Sequence, residues 1–141
     1  MVELAAGRVG FADDGVVGEG MLGGGARFYV SPRVSLGPEI TRIWGDNHSH
    51  LITTGNVTWD VIAPRNGSPA WMTPFIVVGG GLFQTRERFP VGTFTSSEGA
   101  FTAGGGVRSG IGRRGTLAID ARVGWELHLR VTAVAGLRLG P

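Results

Sequence analysis

The run from Leu117 to Leu139 carries the strictest pattern in the chain. Its odd positions are Leu117, Ile119, Ala121, Val123, Trp125, Leu127, Leu129, Val131, Ala133, Ala135, Leu137 and Leu139, all apolar. Its even positions include Asp120, Arg122, Gly124, Glu126, His128, Arg130, Thr132, Gly136 and Arg138. Period two is the mark of a strand with two unlike faces. A globular surface has no use for one face so aliphatic and another so rich in arginine and carboxylate. A membrane barrel does, with lipid outside and a small polar lumen inside. At strand rise the run is roughly 75 Å long, whereas a membrane strand needs only about 9–11 residues. It must therefore fold back on itself. The turn is expected at Glu126 to Leu129, with an odd-length loop that carries the parity across.

The rest of the chain is read the same way. At 141 residues it is one domain by length. Glycine is abundant, at 26, with no collagen period, and hydrophobic residues make up 42%, too many for a disordered chain. Charged residues are only 17%, below the roughly 25% of a soluble domain. There is no cysteine, which removes disulfides and thiolate metal sites. Every cation is arginine, the side chain suited to buried bidentate pairs. A net charge of +2 without a basic run gives no reason to expect nucleic acid. No stretch approaches the ~20 apolar residues of a membrane helix, which leaves a closed barrel as the spanning option.

Eight strands follow from alternation and turn chemistry. They are expected at Val2 to Phe11, Gly20 to Ser31, Val34 to Trp44, Leu51 to Ile62, Thr73 to Phe89 and Gly99 to Ile111, then two in the C-terminal run from Thr116. The first alternates poorly and does not declare its lumen side. In the fifth, Gln84, Arg86 and Arg88 assign the even face to the lumen and leave Phe75, Val77 and Phe83 for lipid. Pro38 interrupts the third, so a bulge or a missing ladder bond is expected there. Ala12 to Glu19, Gly45 to His50 and Pro90 to Glu98 read as longer polar loops. Ser31-Pro32-Arg33 and Gly112-Arg113-Arg114-Gly115 read as short turns, and Asn66-Gly67 centres a hairpin. Short turns on one side and long loops on the other are the habit of outer-membrane barrels. Trp44 and Trp125 fall at the outer rim, and Phe28, Trp59 and Trp71 at the inner, as two aromatic girdles.

With strand count, alternation, girdles and loop asymmetry together, the chain resembles the small outer-membrane β-barrel superfamily. That group includes the OmpA transmembrane domain, OmpX and the opacity-type proteins. The resemblance covers the whole chain and implies an all-β, eight-stranded antiparallel up-and-down transmembrane barrel in the bacterial outer membrane. It also implies lipid and lipopolysaccharide around the barrel, an extracellular partner at the loops, a monomer, and a structural or adhesion-like role without catalysis. Exported barrels carry a signal peptide, so one is expected to have been removed ahead of Met1-Val2-Glu3-Leu4. Such barrels typically end on an aromatic residue, whereas this chain ends Leu137-Arg138-Leu139-Gly140-Pro141. Either residues are missing there, or the resemblance does not extend to assembly.

Parity places Arg27, Glu39, Asp60, Arg86, Arg108, Asp120, Arg122, Glu126, Arg130 and Arg138 in the lumen. An eight-stranded barrel is only just wide enough for its own side chains, so mixed charges there should pair into a plug. The alternative is a narrow anion path lined by the excess arginine. Three glycine triplets, Gly23 to Gly25, Gly79 to Gly81 and Gly104 to Gly106, sit inside strands. They read as room for coiling and for long lumen side chains, since no helix or Lys-Ser/Thr follows to make a phosphate cradle. The G-x-G-x-x-G at Gly18 to Gly23 precedes a strand and has no helix terminus for a pyrophosphate.

Candidate chemistry is sparse. His48, His50 and His128 fall near the outer rim, with Ser49, Asp46 and Glu126 as conceivable partners for a lipid hydrolase. His48 and His50 alone offer two metal ligands on no fixed scaffold. No catalytic, cofactor or metal residue is therefore assigned. The sequons at Asn56 and Asn66 carry no meaning in a bacterial barrel. A soluble lipocalin-type barrel, with the aliphatic face inward around a ligand, is the remaining architecture.

Overall fold

The computed structural model describes residues 1–13, 15–45, 48–62, 72–124 and 128–139. Its strands are β1 (Val2–Asp13), β2 (Gly15–Ala26), β3 (Phe28–Tyr29), β4 (Val34–Trp44), β5 (His48–Asp60), β6 (Thr73–Phe89), β7 (Gly92–Ile111), β8 (Gly115–Gly124) and β9 (His128–Leu137). Apart from β2 and β3, consecutive strands pair antiparallel, and β1 pairs with β9, which closes the barrel. β2 and β3 are two parts of one wall position, because both pair with β4. The barrel is thus eight-stranded, as the alternation requires.

The interruption between β2 and β3 lies opposite Pro38. The β2–β4 ladder stops at Gly25↔Glu39 and resumes at Phe28↔Leu36 with the register unchanged. Pro38 has no N–H to donate, so ladder bonds are missing there but no bulge forms. On its other edge Arg27 keeps its partners: its N–H donates to the Met1 carbonyl at 2.8 Å, and its carbonyl accepts from the Met1 amino group at 2.9 Å.

The strands are strongly staggered. Stepping across the wall from Phe11, the partners are His128, Gly124, Thr102, Gly79, Asn56 and Gly37. Arg27 lies against Gly37 and is bonded to Met1, so the circuit returns to the starting strand ten residues below Phe11. Such a shear forces a steep tilt of the strands on the barrel axis.

Face assignment follows parity over most of the wall. Leu117, Ile119, Val123, Leu129 and Val131 are exposed outward, while Asp120, Arg122, Arg130 and Thr132 are buried. The lipocalin arrangement is therefore excluded. Trp44 is exposed on the upper outside, and Phe28 and Trp59 on the lower; Trp71 and Trp125 lie outside the described residues. The undeclared β1 turns its odd face inward, burying Val9, and presents Leu4 and Arg8 outside.

The fifth strand reverses the expectation. Phe75, Val77 and Phe83 are buried in the interior, whereas Ile76, Val78 and Leu82 face outward. Gln84 and Arg86 are exposed, and Arg86 is not a lumen residue. These polar side chains mislead because β6 continues above the apolar band, where both faces meet water. Pro90 to Glu98 is not a loop either. Phe89 pairs with Gly92, so β6 and β7 form one long hairpin that turns at Pro90 and Val91. Residues 92–101 of β7 have β6 as their ladder neighbour, and the β7–β8 ladder among the described residues starts only at Thr102. The expected polar stretches before Glu19 and at His48 to His50 are also paired strand.

The short turn after Ile111 is as expected, whereas the turn expected at Glu126 to Leu129 does not include His128 and Leu129. Ile111 pairs with Gly115 across residues 112–114, with Gly112 at φ 60°, the left-handed region that favours glycine. Gly124 pairs with His128, so β8 and β9 meet across residues 125–127, outside the described residues; His128 and Leu129 are strand, not turn. Arg138 lies past β9 and is exposed, with its N–H on the Arg114 carbonyl at 2.8 Å, so it too leaves the lumen set. Glu126 and the Asn66-Gly67 turn lie outside the described residues.

Outward-facing apolar side chains predict a depth-dependent response to charge. Ala121→Arg, near mid-height on β8, should cost about 2–4 kcal/mol, whereas Leu139→Arg, past the last strand, should be nearly neutral. Urea midpoints for folding into lipid vesicles measure both, and equal midpoints would contradict the lipid-facing assignment.

Candidate functional site

Four groups of described side chains line the interior, stacked along the axis. At the lower end Arg108 Nη1 donates to Asp60 Oδ1 at 3.0 Å, to Asp60 Oδ2 at 3.2 Å and to the Tyr29 hydroxyl at 2.8 Å. Its guanidinium lies 4.8 Å from the centre of the Phe75 ring, within cation–π range. This contact explains why an aromatic side chain belongs in this lumen. Beside it Arg27 Nη2 donates to Glu3 Oε2 at 3.1 Å.

The middle group centres on Arg122, which bridges two carboxylates. Its Nη2 and Nε donate to Asp120 Oδ2 at 2.6 and 3.0 Å, and its Nη1 to Glu39 Oε2 at 2.9 Å. Thr132 donates its hydroxyl to the other oxygen of Asp120. Glu39 also accepts from Asn56 Nδ2 at 3.1 Å, and Arg130 Nη2 lies 2.7 Å from its Oε1. These partners come from β4, β5, β8 and β9, and the stagger of the strands brings them to one level. Glycine makes room for them: a Cβ at Gly104 would strike the Arg122 backbone, and one at Gly79 the Asn56 side chain.

With Arg86 and Arg138 outside, the charge balance changes. The two lower groups hold Arg27, Arg108, Arg122 and Arg130 against Glu3, Glu39, Asp60 and Asp120. No excess of arginine remains among these described lumen residues to line an anion path. A cavity of about 30 Å³ lies among Glu3, Arg27, Glu39, Asn56, Arg122 and Thr132, room for a water or two.

The upper third is apolar, with Val9, Met21, Ile43, Ile52 and Phe83 packed together under Phe11 and Ala100. Above this layer the interior turns polar again. Phe11 and Phe83 hold the His50 ring, at centroid distances of 5.3 and 5.0 Å. His50 Nδ1 is 3.0 Å from Thr85 Oγ1. His48 Nε2 is 2.6 Å from Glu19 Oε1. Glu19 is a residue that sequence reasoning passed over inside the glycine motif. Its isolation as a carboxylate between glycines was the available signal.

The hydrolase arrangement is only partly assembled. His48 and His50 share the inner face of β5, so Ser49 between them belongs to the other face. His128 is buried on β9, with its ring 5.7 Å from Phe11. Asp46 and Glu126 lie outside the described residues.

No family model and no curated protein matches the sequence. Solved structures do match the fold. Neisserial surface protein A is 10% identical with a TM-score of 0.77, over 98% of this chain and 94% of that one. The N-terminal β-barrel domain of Pseudomonas aeruginosa OprF is 13% identical with a TM-score of 0.66, over 96% and 95%. Ail, the attachment invasion locus protein of Yersinia pestis, is 10% identical with a TM-score of 0.61, over 98% and 95%. The chain has the fold of the small eight-stranded outer-membrane β-barrels. At such identities the likeness carries the architecture and no residue roles.

Removing one partner from the central network should cost far more than removing a surface pair. Glu39→Ala leaves Arg122 and Arg130 short of a carboxylate and should destabilise the barrel by about 3–5 kcal/mol. Urea unfolding in detergent or lipid reads this loss, and a change under ~1 kcal/mol, the surface-pair range, would show that Glu39 is not the shared partner.

Proposed function

We propose that this chain is an integral outer-membrane barrel that acts at the cell surface through its β6–β7 hairpin, with a lumen closed by its own ion pairs. The exposed apolar band fits a lipid surround, with lipopolysaccharide on the outer side and the short turns on the periplasmic side. The reading is of a monomer without catalytic function, and the domain is the whole chain.

The hairpin carries the proposal. It rises past the neighbouring β8, exposes both faces over most of residues 92–99, and holds Phe94 64% exposed and Val91 99% exposed. Apolar side chains in water at the tip of a rigid ladder are unfavourable in isolation and suited to meeting a partner. The similar fold of Ail, an attachment protein, supports the reading, and a further Ail structure holds the heparin analogue sucrose octasulfate. Closure of the lumen is supported by balanced charges, a cavity of water size and the apolar layer above it.

Replacing residues 86–95 by Asn-Gly, between the paired Thr85 and Ser96, tests the surface role. Cells displaying the parent barrel should adhere to host-cell monolayers or heparin-coated surfaces at least tenfold better than cells displaying the shortened one. Heat-modifiable migration on gels confirms that both fold. Equal adherence would refute the hairpin as the working surface. In planar bilayers the parent should show no discrete conductance steps, and steady channels would refute closure.

A further inference from the structure

The upper mouth of the barrel collects three ligand-type side chains from two strands distant in sequence. Glu19 comes from β2, and His48 and His50 from the start of β5. One donor atom from each lies within 4.8 Å of the other two. Alternation on β5 puts both imidazoles on the inner face, and the stagger of the barrel brings Glu19 level with them.

Independent features mark this as a built site. Glu19 is 5% exposed, and among the described residues its Oε2 is buried without a hydrogen-bond partner while Oε1 meets His48. A buried, half-satisfied carboxylate costs free energy unless something else shares it. His50 is held by two aromatic rings, and its Nδ1 meets the Thr85 hydroxyl, so Nε2 is the ring nitrogen it would offer to a ligand. A hydrogen bond on the second ring nitrogen is how ligating histidines are oriented. Gly45 sits against the pair, and a Cβ there would collide with Glu19 Oε1 and His48 Nε2. His48 is the exposed member: its side chain is 36% exposed, which leaves room on its outer side for a small shift that widens the gap.

We propose that Glu19, His48 and His50 bind a divalent transition-metal ion of the zinc class at the mouth of the barrel. Two neutral imidazoles and one carboxylate are a common ligand set for zinc, with a fourth position left to water or to a donor from outside. Ligand–ligand spacing around tetrahedral zinc is about 3.3–3.6 Å for bonds of about 2.0–2.2 Å. The ion therefore replaces the short Glu19–His48 contact after a small outward shift of His48. Calcium and magnesium prefer all-oxygen shells and fit this donor set poorly.

Isothermal titration of zinc chloride into the untagged, folded barrel in a non-chelating detergent buffer tests the site. One equivalent should bind with micromolar or tighter affinity, and magnesium should give no heat. Glu19→Gln, His48→Ala and His50→Ala should each weaken zinc binding at least tenfold, while Arg86→Ala should leave it unchanged. Heat-modifiable migration of every variant shows that the barrel still forms. Cobalt titrated into the parent should give the visible absorption of a four-coordinate nitrogen–oxygen site, and the His48→Ala spectrum should lose it. Zinc that does not bind the parent, or that binds the Glu19→Gln and His48→Ala variants equally well, overturns the proposal.

Discussion

A strand in hydrocarbon has no water to satisfy its backbone, so every amide in the wall needs a partner inside the protein. The closing pair of β1 and β9 answers that constraint, and much of the design follows from it. Closure with a ten-residue stagger tilts the strands and sets which distant residues share a level. Pro38 shows the tolerance of the rule. It lacks an N–H on the β2 side, yet the register is unchanged past it, and on the β1 side Arg27 keeps its backbone bonds to Met1.

Closure also makes the interior narrow, and narrowness makes charge placement strict. Burying a guanidinium costs several kcal/mol unless a carboxylate and hydrogen bonds accompany it. Arg122 meets that cost by spanning Asp120 and Glu39, and Arg108 by joining Asp60, Tyr29 and the face of Phe75. The inward glycines of β6 and β7 belong to the same economy of space. Gly81 and Gly106 lie where a Cβ would meet the neighbouring strand's backbone.

Above the apolar layer different physics applies. The wall no longer separates lipid from lumen, the strands of the long hairpin have water on both faces, and polar side chains are free to face either way. Polar chemistry concentrates here: the Glu19–His48 contact, the His50 ring and the exposed hairpin tip. A rigid barrel below supplies the fixed scaffold that loop histidines lack.

By itself the sequence determined the architecture. Strict parity from Leu117 to Leu139 marks strands between two unlike environments, and the same alternation puts Arg27, Glu39, Asp60, Arg108, Asp120, Arg122 and Arg130 inside. Only the tertiary structure decided the rest. Gln84 and Arg86 pointed to the wrong face of β6 because parity reports lipid against lumen only within the membrane band. Arg138 left the lumen because its strand had already ended. Which arginine meets which carboxylate, and that Glu19 meets His48, depends on the stagger between strands far apart in the chain. That stagger is a property of the closed ring, and no single strand encodes it.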